Sequence, residues 1–128
     1  MTLEAVKLKP VRMLNVDTDT LQDVEEIPEA VRFSIVLDAE PSSTWIQEFT
    51  TAYGLMHHPI KPPCEVDADR LWIAFLPRYA NDLQSYIDFL KMVVERANVE
   101  ERRTLQMHEH DNAGEKSKIR EMLKRLSI

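Results

Sequence analysis

Glycine and cysteine are the residues that this sequence has least of. Its 128 residues include two glycines, Gly54 and Gly114, and one cysteine, Cys64. Glycine-rich phosphate loops and the G-x-S-x-G turn of many hydrolases need glycines close together, so both are absent in their usual forms. A single cysteine cannot form an intramolecular disulfide, which argues against an oxidising compartment.

Long apolar runs are also missing. No run approaches the ~18 residues that a membrane span requires, and the N-terminus lacks the apolar core of a signal peptide. The sequence therefore predicts a cytoplasmic protein that does not bind membranes. At this length a single domain buries roughly two thirds of the surface of its unfolded chain, which is enough for a stable core.

Positive charge is scarce in most of the chain, whose net charge is −6. Residues 1–95 carry a balance of −8, whereas residues 96–128 carry +2. An acidic body repels phosphate backbones, so nucleic acid is not an expected partner. No cofactor-binding motif is present, and we expect no cofactor.

The apolar pattern predicts four strands and two main helices. Strands are expected at residues 8–16, 30–38, 64–66 and 70–76, with a long, acidic hairpin connection over residues 17–29. A helix is expected from Pro41 to an αL cap at Gly54. Its N-cap candidates are Ser42, Ser43 and Thr44, and Thr44 and Gln47 have the spacing of a capping box. The strand at residues 70–76 has two apolar faces. The second helix carries one buried stripe: Leu83, Tyr86, Ile87, Leu90, Val93, Val94 and Ala97.

These elements favour an α+β fold, a two-layer sandwich with two helices on one face of a mainly antiparallel, roughly four-stranded sheet. A ferredoxin-like arrangement is one candidate. We predict an α+β domain over residues 1–97 and a helical C-terminal extension over residues 98–128. Within the extension, the helix is expected to run to about Met107, turn at residues 111–114 and resume.

Two surfaces of this predicted fold lack a partner. Trp72, Ala74 and Leu76, with Val36, form an apolar patch on the sheet face away from the helices, and monomers rarely leave such a patch bare. Either the C-terminal helix covers it or a second molecule does. The last helix has its own stripe, for which a second chain or the open sheet face around Trp72 is the expected partner: Ile119, Met122, Leu123 and Leu126.

Soft-metal ligands occur in two places. His57 and His58 lie in a proline-rich loop near Cys64, and His108 and His110 bracket a glutamate near the predicted tail turn. Zinc spacings such as C-x-x-C or H-E-x-x-H are missing, so these histidines are only weak metal candidates. Aspartate pairs such as those at residues 17 and 19 or 67 and 69 fit turns and caps equally well.

The sequence therefore predicts a small interaction module that forms a homodimer or docks on another protein. The predicted interaction residues are Trp72, Leu76, Ile119, Met122, Leu123 and Leu126. Two alternatives stay open: a metal-dependent enzyme built from the histidines and acidic loops, and a small-molecule sensor with Trp72 and Tyr79 near a pocket. No catalytic residue is assigned.

Overall fold

A computed structural model describes the backbone of residues 9–126 and the side chains of residues 9–107 and 114–126. The chain forms an antiparallel four-stranded sheet and two α-helices, joined before the second helix by a 3-10 helix. The elements are β1 (Met13–Asp23), β2 (Val31–Leu37), α1 (Ser43–Leu55), β3 (Cys64–Asp67), β4 (Arg70–Phe75), the 3-10 helix (Pro77–Asp82) and α2 (Leu83–Lys124). The predicted α+β class is confirmed.

The strands lie in the order β1-β2-β4-β3, and each neighbouring pair is antiparallel. The connection through α1 therefore joins two parallel strands, β2 and β3, that have β4 between them. Ferredoxin-like domains run β-α-β-β-α-β. Here the first strand forms a hairpin with β2 ahead of α1, and no strand follows α2 in the described residues. The connectivity is therefore not the ferredoxin-like one considered above.

The core lies between one face of the sheet and both helices. Alternate residues of β2 and β4 point into it, because successive strand residues face opposite sides. The buried stripe of α2 packs on the same face, with α1 beside it. The largest buried side chains of this cluster are Trp45, Tyr86, Phe49, Ile35, Leu37, Leu71, Ile73, Leu90 and Val93.

Helix α1 begins at one of the three predicted N-cap candidates but does not end at the predicted C-cap. Ser42 is the N-cap, and its hydroxyl accepts a hydrogen bond from the Trp45 amide at 3.0 Å. Gly54 lies inside the helix and not at an αL cap; the helix ends at Met56, whose amide donates to the Ala52 carbonyl. Met56 has an extended backbone that leads directly into the loop, so no left-handed residue is needed there.

The first strand lies later in the chain than predicted. It was expected over residues 8–16, whereas β1 spans Met13–Asp23 and includes most of the acidic stretch taken for a loop. Pairing with β2 continues to Gln22 and Asp23 after an irregularity that follows Asp17. The acidic side chains suit this position because β1 is an edge strand, and charges on an edge oppose pairing with other chains.

The predicted turn at residues 111–114 does not form. Helix α2 has 42 residues and passes through Gly114 without a break. A single interior glycine costs only about 1 kcal/mol, and no proline follows Pro77. Ion pairs between neighbouring turns support the exposed helix, with Glu100 3.3 Å from Arg96 and 3.7 Å from Arg103.

Truncation of the core will show which face is buried. Leu90 is fully buried and Phe75 is 3% exposed, so Leu90→Ala or Phe75→Ala should each lower the free energy of unfolding by roughly 2–5 kcal/mol. Met92→Ala is the control, because Met92 lies on α2 with 59% of its surface exposed. Urea denaturation measures all three, and a Met92 variant as destabilised as the Leu90 variant would contradict this assignment.

Candidate functional site

The sheet face away from the helices, the outer sheet face, is the first candidate surface. The pairing register places Trp72 opposite Ser34 on β2 and opposite Glu65 on β3, so these three side chains share this face. By the same register its members are Asn15, Asp17, Gln22, Arg32, Ser34, Val36, Glu65, Asp67, Arg70, Trp72 and Ala74. The face therefore combines charged and apolar side chains and is not the apolar patch predicted from the sequence.

One half of the outer sheet face is a closed polar cluster. Arg70 Nη1 donates to Asp17 Oδ2 at 2.7 Å and to Ser34 Oγ at 2.8 Å. Thr20 Oγ1 accepts from the Ser34 amide at 2.9 Å. The hydrogen bond from Arg70 holds the pKa of Asp17 below its ordinary value. These groups satisfy one another, so we assign the cluster a structural role.

The other half of the outer sheet face surrounds Trp72. The guanidinium of Arg32 lies 4.3 Å from the centroid of the Trp72 ring, a cation–π contact. Beside the ring is a shallow groove of about 230 Å³ with two exposed carboxylates at its rim, Glu26 and Glu65. Its other lining residues are Val24, Ile27, Arg32, Pro63 and Ala74. This groove offers an apolar floor and an acidic rim.

Leu76 and Tyr79 lie elsewhere. They line a neighbouring cavity of about 300 Å³ with the proline-rich segment of residues 59–63, and this cavity shares Ile27, Pro63 and Ala74 with the Trp72 groove. The two aromatic residues proposed for one small-molecule pocket therefore line different depressions. Of the predicted interaction residues, Trp72 and Leu76 are both partly exposed.

The second candidate surface is the α2 extension, residues 114–126. Glu101 is the last buried residue in the described part of α2, and every residue of the extension is exposed. Its apolar side chains are 56–68% exposed: Ile119, Met122, Leu123 and Leu126. Ile119, Met122 and Leu123 lie on the same side of the helix as the core stripe, at about 100° per residue, and Leu126 follows the end of the helix. None of the described helices is long and apolar enough to cross a membrane.

The histidine candidates do not come together as a described metal site. No group of three or more histidine, cysteine, aspartate or glutamate side chains able to hold a metal occurs among the described residues. His57 is exposed, and His58 hydrogen-bonds within its own loop. The side chains of His108 and His110 lie outside the described residues.

His58 makes a contact that the sequence did not suggest. Its Nδ1 lies 2.7 Å from the Ile60 carbonyl oxygen, and its Nε2 lies 3.1 Å from Ser85 Oγ. The Ile60 amide also lies 3.1 Å from Nδ1 and can donate to it, so the two tautomers assign opposite roles to the ring nitrogens. Nε2 accepts from the serine hydroxyl only in the tautomer that carries its proton on Nδ1. The ring packs 5.0 Å from the Phe89 ring, which fixes its orientation. The partners are 27 residues apart, so sequence spacing gave no signal.

A buried hydrogen-bonded group anchors the proline-rich loop from the inside. The hydroxyls of Tyr53 and Tyr86 are 2.9 Å apart, and Tyr53 also donates to the Pro62 carbonyl. Burial raises the pKa of Tyr53 to about 12 and that of the adjacent Cys64 thiol to about 12. A neutral thiol is a poor nucleophile, so Cys64 is not a catalytic candidate.

The reactivity of Cys64 tests this environment. At about pH 8 the folded protein should react with Ellman's reagent far more slowly than the chain unfolded in guanidinium, because a buried thiol stays protonated. The folded-state pKa exceeds the ordinary value of 9.0, so the thiol stabilises the fold below pH 9, and this contribution falls as pH rises toward 12. Cys64→Ala should therefore show a smaller loss of stability over that range. Equal reaction rates for the folded and unfolded chain would contradict the assignment.

Comparison with known proteins adds no assignment. No family model matches the chain, and neither does any curated protein or solved structure with which it was compared. Function is therefore argued from the two surfaces and the side-chain contacts described above.

Proposed function

We propose that this protein is a small interaction module that self-associates through the α2 extension. The observation that carries the proposal is a row of exposed apolar side chains, three on one side of an unbroken helix that leaves the domain and a fourth, Leu126, just after its end. A helical segment of about a dozen residues is marginal in water without packing. Burial against a partner would stabilise it, at roughly 25 cal/mol for each Å² of apolar surface removed from water.

The partner in this proposal is a second molecule, and the shape of α2 is the reason. Between Glu101 and Lys124 the helix is continuous and extends about 35 Å at 1.5 Å per residue. A straight helix cannot fold its end back onto the sheet that it has left. Two-fold dimers are the commonest soluble oligomers, so a second copy of the chain is the first partner to consider.

We also propose a cytoplasmic location. The one cysteine has its thiol against Tyr86 in the interior, and no disulfide partner exists in the chain. A fold with a reduced thiol and no disulfide suits a reducing compartment.

Removal of the extension tests self-association. Sedimentation equilibrium over micromolar concentrations should show the full chain heavier than a monomer and a version ending at Asp111 monomeric. The truncated chain keeps the core stripe and every buried residue identified above, so it should remain folded.

A pair of point variants separates apolar packing from helix charge. Ile119→Glu places a carboxylate in the stripe, whereas Ser117→Glu places the same charge about 200° away on the helix. We expect the first change to abolish self-association and the second to preserve it. A full-length protein that is monomeric throughout the concentration range would overturn the proposal.

A second candidate function is acyl transfer at Ser85, and the His58–Ser85 contact favours it. In the tautomer with its proton on Nδ1, His58 Nε2 is placed to accept the hydroxyl proton while the Ile60 carbonyl orients the ring from the other side. Ser85 Oγ would then form a bond to the acyl carbon of an ester, the alcohol or phenolate would leave, and water would release the acid. The pair borders an open depression of about 460 Å³.

An activated ester tests this second candidate. The protein should release p-nitrophenolate from p-nitrophenyl acetate faster than free imidazole does, and Ser85→Ala and His58→Ala should each reduce that rate at least about tenfold. Ser43→Ala, which removes an exposed serine from α1, is the control. An unchanged rate in the Ser85 variant would leave His58 and Ser85 as anchors of the loop.

A further inference from the structure

We propose that the α2 extension of one copy docks on the outer sheet face of a second copy, along the Trp72 groove. This inference rests on the proposed self-association and adds the receptor. The apolar stripe of the extension would lie over Trp72 and Ala74, and its basic side chains would lie against the acidic rim at Glu26 and Glu65.

Charge complementarity identifies the receptor. The extension has five basic and two acidic residues, a balance of +3: Glu115, Lys116, Lys118, Arg120, Glu121, Lys124 and Arg125. Two such extensions packed on each other would bring like charges together, which disfavours a tail-to-tail contact. The carboxylates at the rim of the Trp72 groove have the opposite charge.

The arginines of the outer sheet face only partly offset this attraction. Arg70 is held by Asp17 in a 2.7 Å ion pair, whereas Arg32 keeps its charge over the Trp72 ring, so the groove has two carboxylates against one guanidinium. In the exposed depression lined by α2 and Met56 the charges balance, with Glu95 and Glu100 beside Arg96 and Arg103. Of these two surfaces the outer sheet face is the better match for a basic helix.

The dimensions also agree. Strand β4 has six residues and extends about 20 Å at 3.3 Å per residue. The helical part of the extension, residues 114–124, is nearly as long, about 16 Å at 1.5 Å per residue. A helix on the outer sheet face would cover the side of the sheet that lacks one, as in three-layer domains. Reciprocal exchange of extensions between two copies would close the arrangement as a two-fold dimer.

Charge exchange between copies tests the proposal. Lys116→Glu with Lys118→Glu reverses charge on the extension, and Glu26→Lys with Glu65→Lys reverses it on the groove. Each double variant should self-associate about tenfold more weakly than the wild type at low salt, because opposed charges become like charges. An equimolar mixture should associate again, since both contacts of the mixed dimer are then complementary.

The matched control carries the same change in net charge elsewhere. Glu40→Lys with Glu95→Lys alters two exposed positions outside the groove. Alone, it should self-associate like the wild type, because its extension and groove are unchanged. If it self-associates as weakly as the groove variant does, net charge alone is responsible and the proposed receptor is wrong.

Disulfide trapping gives a second, independent reading. A chain with Leu123→Cys mixed with a chain with Glu65→Cys should form a mixed covalent dimer on mild oxidation. Predominant Leu123→Cys homodimers would show tail-to-tail packing and overturn this inference while leaving self-association in place. A wild-type chain that is monomeric would overturn both.

Discussion

The side chain of Asn98 is the contact on which the two layers of this fold depend. Its Oδ1 accepts hydrogen bonds from the Val11 amide at 2.9 Å and from Trp45 Nε1 at 2.8 Å, and its Nδ2 donates to the Val11 carbonyl at 3.0 Å. One turn later, buried Glu101 accepts a hydrogen bond from Ser42, the N-cap of α1. A single turn of α2 thus fixes both the segment that enters β1 and the start of α1. Loss of such partners leaves buried polar groups unpaired, at about 1–3 kcal/mol each.

The position of this turn also decides what the rest of α2 can do. Asn98 and Glu101 lie where the buried stripe ends, so the helix is held firmly at the point where it leaves the domain. The contacts of Asn98 and Glu101 with the rest of the domain therefore set the direction in which the extension leaves it. A flexible tail would lose much conformational freedom on docking, whereas a helix formed in advance loses less.

The apolar pattern of the sequence predicted those strands and helices whose buried and exposed side chains recur at a clear period. It gave wrong bounds where strand pairing or the continuity of a helix decides where an element ends. The periodicity of apolar residues alone predicts the inward face of β4 and the buried stripe of α2. The burial of Leu71, Ile73 and Leu90 in the structure agrees with both predictions. The acidic residues of β1 have no such pattern, because this strand owes its length to pairing with β2. At Gly114 the sequence predicted a break that does not form. The low helix propensity of glycine favoured a turn there, but a long helix tolerates a single glycine at small cost in free energy.

The candidate sites were less accessible from sequence because their parts meet across the sheet. The alternation of side chains along β4 predicted that Trp72 faces away from the helices. It could not show that Arg32 of the neighbouring strand covers the Trp72 ring, or that Arg70 forms an ion pair with Asp17. These cross-strand contacts divide the outer sheet face into a self-satisfied polar half and a half with an apolar floor and acidic rim. The two halves therefore offer a partner different kinds of surface. The polar half is closed by its own hydrogen bonds, so the half that includes Trp72 and Ala74 is the part of the outer sheet face where a partner would bury apolar surface.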